Sequence, residues 1–164
     1  MREASRELLA SRQDVWGFLA EPNHLTDWWP GMVGVEPDRR GFAEGARWQV
    51  SVIEEPFVLG LGNVNLSTLG RSSGPRVSQT LLVTEVAPYE SWSWRLVRRD
   101  RAPRFVRTLD VSIRLRAIAP DRTLVTIGVS GTGFGSAIFG SRDGRTARIA
   151  AGRLYDLVQT AATL

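Results

Sequence analysis

The sequence predicts an α+β fold: a curved antiparallel sheet of about seven strands, in the order β-α-α-β6-α, around a long C-terminal helix. The first observation behind it is period-two alternation of apolar residues in successive segments between residues 46 and 130, joined by short turns. The second is a switch to helical period after residue 135. The third is a pair of short helical segments near the N-terminus, the second bracketed by Pro22 and Pro30.

Taken in order, Glu3 to Leu9 reads as a first strand with imperfect alternation. Ser11-Arg-Gln-Asp14 has the spacing of a capping box, and Val15, Phe18 and Leu19 follow at helical spacing, so a helix runs to about Ala20. Pro22 to Pro30 holds a second short helix with the only histidine, His24, and the adjacent Trp28 and Trp29. Met32 to Glu36 is a short strand, and Gly41 to Gly45 marks a turn. In Ala46 to Glu54, Trp48, Val50 and Val52 share one face. Val77 to Val86 and Ser91 to Arg98 form the next two strands around the turn Ala87-Pro-Tyr-Glu90. Arg107 to Ile118 and Thr123 to Ser130 complete an antiparallel meander. The final helix carries Ala147, Ala150, Leu154, Leu157, Val158 and Ala161 as one apolar stripe, opposite Arg148, Arg153, Asp156 and Gln159. Gly152 within it implies close approach of another group or a slight bend.

Composition narrows the function classes. At 164 residues the chain suits one domain over 1–164, with room for a real core. It has no cysteine, which excludes disulfides and thiolate chemistry. With a single histidine, the common metal sites are also unexpected, so neither a metal nor a cofactor is predicted. All 21 basic residues are arginine and the net charge is +4, too modest to make a nucleic-acid binder. No apolar run nears the roughly 20 residues that span a bilayer, and the charged N-terminus lacks a signal-peptide core. A cytoplasmic protein without stable membrane insertion is expected; the oligomeric state is left open.

Three stretches resemble the START-like (SRPBCC) superfamily, the helix-grip fold that includes polyketide cyclases and lipid-transfer domains. Ser11-Arg-Gln-Asp-Val-Trp-Gly-Phe-Leu-Ala-Glu-Pro22, running on to Trp28-Trp29-Pro30-Gly31, looks like that family's helix-helix opening. Val83-Thr-Glu-Val-Ala-Pro88 with Trp92-Ser-Trp94 is similar to its mid-sheet hairpin. Asp121-Arg-Thr-Leu-Val-Thr-Ile127 and the terminal helix match its ending. The resemblance implies a cavity between the long helix and the sheet, and no shared catalytic motif. The chain departs from the compact family pattern in the segment 55–75, rich in glycine, serine and asparagine.

Candidate site residues follow from strand phase. Trp48, Trp92 and Trp94 fall on inward faces, where they either line an apolar pocket or pack as core. Gln79 accompanies Val77, Leu81 and Val83 inward, Glu54 follows Val52, and Arg107 precedes Leu109. Buried charges need partners, so Glu54 pairs with Arg107, Arg107 takes an anionic ligand head, or both reach water at strand ends. A bulge would invert this phase. Phe57 opens the irregular segment, a loop or lid or an irregular hairpin, as a candidate ligand contact, and Leu154, Tyr155 and Val158 are the candidates on the terminal helix. Trp29 and Leu25 read as core, whereas Trp28 and His24 are expected to face outwards or towards the cavity mouth. The arginine-rich run Arg95 to Arg107 reads as a solvated hairpin, and Gly131-Thr-Gly-Phe-Gly135 as an entry to the last helix.

The sequence therefore points to a domain that holds a hydrophobic or amphipathic, lipid- or polyketide-like small molecule. The alternatives are a polyketide cyclase/dehydratase-type enzyme using Arg107, Glu54 and Tyr155, and a protein-interaction module. No catalytic residue is assigned.

Overall fold

The computed structural model describes residues 1–53, 76–99, 106–132 and 136–162. Among the described residues seven strands form one antiparallel sheet: β1 (Arg2–Leu8), β2 (Met32–Glu36), β3 (Arg47–Ile53), β4 (Arg76–Ala87), β5 (Ser91–Arg99), β6 (Val106–Ala119) and β7 (Arg122–Thr132). Their spatial order is β1-β7-β6-β5-β4-β3-β2, a meander from β2 to β7 closed by β1 returning beside β7. The sheet curves around the helix α3 (Ser136–Ala162), which lies against β1, β7 and the short α2 (Leu25–Trp28). This is the α+β architecture expected from the sequence.

The two N-terminal helices form for local reasons. The Ser11 hydroxyl caps α1 (Arg12–Leu19) by accepting the Asp14 N–H at 3.1 Å, satisfying one of the amides a helix start leaves free. Val15, Trp16 and Leu19 turn inward from it. A single 3-10 turn, Pro22–His24, then leads into α2. Gly31, at φ +78°, turns the chain into β2, and its carbonyl accepts the Ile53 N–H at 2.8 Å. A side chain there would sit 3.3 Å from the Ile53 carbonyl oxygen, so glycine is required on two counts.

Cross-strand register fixes which residues share the inner face. Trp48 sits opposite Leu81, and Val50 opposite Gln79. Val83, Trp94, Val111 and Val129 form one continuous row across four strands, and Trp92, Ile113 and Ile127 form the next. An irregularity in β4 between Val83 and Glu85 keeps Val86, rather than Glu85, opposite Trp92. It lies beyond Gln79, Leu81 and Val83, so the phase expected for those three stands.

The outer face is polar. Arg95 and Asp110 pair at 2.6 Å, and Arg114 with Glu3 at 2.6 Å. The Asp110 carboxylate holds the Arg95 guanidinium above its ordinary pKa. Thr123, fully buried at the start of β7, donates its hydroxyl to the Ala10 carbonyl at 2.9 Å and so ties the β1–α1 link to the sheet.

On α3, Ala147, Ala150, Leu154 and Val158 are buried as expected, with Leu157 half-buried, and Ala151 joins them. Ala161 lies where no side chain is described. Of the two expectations for Gly152, close approach of another group is not met: nothing lies within 4 Å of where its Cβ would be.

Candidate functional site

All six tryptophans of the chain meet in one aromatic cluster on the inner face. Trp92 is its hub. Its ring lies 6.0 Å from Trp48, 6.3 Å from Trp94, 6.5 Å from Trp28 and 4.7 Å from Phe42, centroid to centroid. Trp29 meets Trp94 edge to face at 4.7 Å, and Trp16 joins through Phe42 at 5.6 Å. Offset and edge-to-face contacts of this kind are what the ring quadrupole favours. Each fully buried indole removes roughly 200 Å² from water, on the order of 5 kcal/mol of transfer free energy before ordering costs.

Trp28 corrects an expectation. It is completely buried, packed against Trp29 at 5.7 Å and Trp92 at 6.5 Å, and does not face outwards. The reason is local: α2 is one turn long and the chain becomes extended at Trp29 (φ −82°, ψ 124°). The two side chains therefore diverge by leaving the helix, and both enter the core. His24 is half-buried and stacks on Phe18 at 4.2 Å. Its Nδ1 lies 2.9 Å from the Phe18 carbonyl oxygen, so Nδ1–H donates there, and the ring is a packing group that ties α2 to α1.

Phe42 was not legible as a site residue, because Gly41 to Gly45 reads as a plain turn. The structure folds this loop onto the sheet. The Asp38 carboxylate accepts the Arg40 and Arg47 N–H groups, each at 2.9 Å, and Gly45 N–H bonds the Val83 carbonyl at 2.9 Å. The Arg47 hydrogen bond is the main cause of a lowered Asp38 pKa. The Gly41 carbonyl in turn accepts the Trp48 indole N–H at 2.9 Å, and Phe42 closes over Trp48 and Trp92. An aromatic residue inside a glycine-bounded turn was the only available signal.

Two polar features break the apolar inner face. The indole N–H groups of Trp92 and Trp94 are buried, and among the described residues neither has a hydrogen-bond partner. An unsatisfied buried donor costs about 1–3 kcal/mol. The amide of Gln79 is the other, 8% exposed and opposite Val50. Around it the packing loosens: Val52, Val77 and Leu109 are only half-buried. This is the end of the sheet where Ile53 pairs with Arg76 and Arg99 with Val106.

The candidate residues thus fall into four groups. Trp28, Trp48, Trp92, Trp94, Leu154 and Val158 are members of one buried core, with Tyr155 half-buried against it. Gln79 is the buried polar group in that face. Arg107 is described through its backbone, which pairs with Arg98 one alternation beyond Leu109 and Leu96. Glu54 and Phe57 lie outside the described residues, so their expected places, including a Glu54–Arg107 pair, do too. Among the described residues no three His, Asp or Glu side chains group to hold a metal ion, and no helix is long and apolar enough to cross a membrane.

No family model matches the chain, and no curated protein matches it. Solved structures do. The Zhui aromatase/cyclase from Streptomyces sp. R1128 is similar with a TM-score of 0.68 at 14% identity, covering 98% of this chain and 93% of that one. A START superfamily protein from Mycobacterium smegmatis gives a TM-score of 0.66 at 13% identity, covering 97% of both chains. The di-domain ARO/CYC protein BexL from the BE-7585A biosynthetic pathway gives 0.67 at 15% identity, covering all of this chain and 48% of its own. Likeness at this identity speaks to fold: the chain has the START-like, helix-grip fold.

Proposed function

We propose that residues 1–164 form a single START-like domain that holds a hydrophobic or amphipathic small molecule between α3 and the concave face of the sheet. The observation that carries this reading is the gradient along that face. One end is filled by the tryptophan cluster, whereas Val52, Val77 and Leu109 at the other remain half-buried beside the buried amide of Gln79. Apolar surface of this kind, with one polar group set into it, is the composition of a small-molecule site. Gln79 fixes the orientation of the guest, and Trp94, Trp48 and Trp92 close the floor beyond it. Arg107 lies one alternation past Leu109 and supplies a cation for an acidic head group. The domain works in the cytoplasm, without nucleic acid, cofactor or metal.

The test is native mass spectrometry and solvent extraction of the purified protein. A retained or displaceable lipid- or polyketide-like molecule is the expected result. Protein that neither carries nor takes up any such molecule overturns the reading.

A cyclase-type activity is the second reading, supported by the two aromatase/cyclase structures among those similar to this chain. In it, Arg107 steadies an enolate while Glu54 and Tyr155 exchange protons. Turnover of a poly-ketone substrate that is lost in Arg107→Ala supports it; unchanged turnover in that variant counts against it.

A further inference from the structure

Trp48, Trp92 and Trp94 share one face, yet only Trp48 has its indole N–H occupied, by the Gly41 carbonyl at 2.9 Å. Trp92 and Trp94 present two donors among valine, isoleucine and aromatic neighbours whose side chains offer no oxygen. Each nitrogen exposes less than 1 Å², so bulk water does not satisfy it. Phenylalanine would supply nearly the same packing without two stranded donors. The unpartnered buried donors of the inner face among the described residues are therefore these two, set beside the buried amide of Gln79, and no carboxylate is buried there among the described residues.

We infer that Trp92 and Trp94 are specificity-determining hydrogen-bond donors, and that the ligand is a rigid apolar molecule carrying a carbonyl oxygen rather than a plain hydrocarbon chain. The inference rests on the small-molecule reading above and adds the chemistry of its ligand. A carbonyl oxygen has two lone pairs and no proton, so it accepts from either indole, or from both, without leaving a donor of its own unpaired. A site built to donate rejects an analogue that lacks the acceptor, because its own N–H groups then stay unsatisfied. The ring of Trp29, immediately after the single-turn α2, stands edge to face with Trp94.

The experiment compares 9-fluorenone with fluorene, which have the same tricyclic outline and differ by one carbonyl. Affinities are measured by equilibrium dialysis for the wild type and for Trp92→Phe, Trp94→Phe and Trp16→Phe, each checked for folding by near-UV circular dichroism. The expected result is that the preference for fluorenone falls about fivefold for each free donor removed, the worth of one neutral hydrogen bond. In Trp16→Phe, whose ring joins the cluster through Phe42 and lies outside the proposed site, the preference is unchanged. The carbonyl stretch of bound fluorenone moves to lower frequency in the wild type, a readout that needs no variant to fold. If both compounds bind and neither that frequency nor the preference responds, the inference fails alone, and the two N–H groups rest on neighbouring ring faces. If neither compound binds, the small-molecule reading for this face fails with it.

Discussion

The rings of Trp29 and Trp94 meet edge to face, with centroids 4.7 Å apart and planes inclined by 75°. One residue follows the single-turn α2 and the other lies mid-sheet on β5, so this contact fastens the N-terminal helices to the sheet. A double-mutant cycle on Trp29→Ala and Trp94→Ala should give a coupling of about 0.5–1.5 kcal/mol, measured by urea denaturation. Each single variant should lose about 3–5 kcal/mol, because a buried indole is replaced by a cavity.

Gly152 offers the opposite effect. It lies within α3 with open space where a Cβ would stand. Gly152→Ala should therefore raise stability by about 1 kcal/mol, through helix propensity and a less flexible unfolded chain. An unchanged or lower denaturation midpoint would mean that α3 needs flexibility at that point.

Tyr89 is held at φ 64° in the turn between β4 and β5, where Glu90 N–H bonds the Ala87 carbonyl at 3.0 Å. A residue with a Cβ is strained there, and the ring, 5.9 Å from Trp16, offsets part of that strain. Tyr89→Ala loses the ring and keeps the strain, whereas Tyr89→Gly loses both. The glycine variant should be the more stable of the two by about 1 kcal/mol in thermal or chemical unfolding.

Asp38 makes the loop under Phe42 sensitive to acid. Its folded pKa is lowered from 3.8, chiefly by the Arg47 backbone hydrogen bond. A depressed carboxylate contributes stability that is fully present above its unfolded pKa and lost as pH falls through the folded one. The stability gap between wild type and Asp38→Ala should therefore be constant near neutrality and close as pH drops below 3.8. Urea midpoints measured across that range check it. A gap that persists in strong acid would show that the loop is held by its other contacts.

Much of the architecture was legible because it is written in short-range periodicity. Leu109, Val111, Ile113 and Leu115 announce a strand and its inner face, and the strand spans Val106–Ala119. Ser11 and Asp14 announce a cap, and the hydrogen bond between them is made. The site was less legible. The alternation put Trp48, Gln79, Trp92 and Trp94 on the inner face, where they lie buried. It could not separate pocket lining from packed core, since both require the same alternation. It also missed Phe42, whose burial depends on Asp38 and Gly41 contacts that have no period, and helical spacing allowed Trp28 to face outwards, where the fold buries it.

The sequence by itself determined the order of elements, the inner face of each strand and the absence of thiol chemistry. These depend on backbone geometry and side-chain type over a few residues. Only the tertiary structure decided that Trp16, Trp28, Trp29, Trp48, Trp92 and Trp94 converge, that Trp48 has an acceptor, and that Trp92 and Trp94 do not. The pairing of Val83 with Trp94 and the bulge beside it set those distances across the fold. Hydrogen-bond satisfaction at such a site depends on atoms far apart along the chain, and no local pattern encodes it.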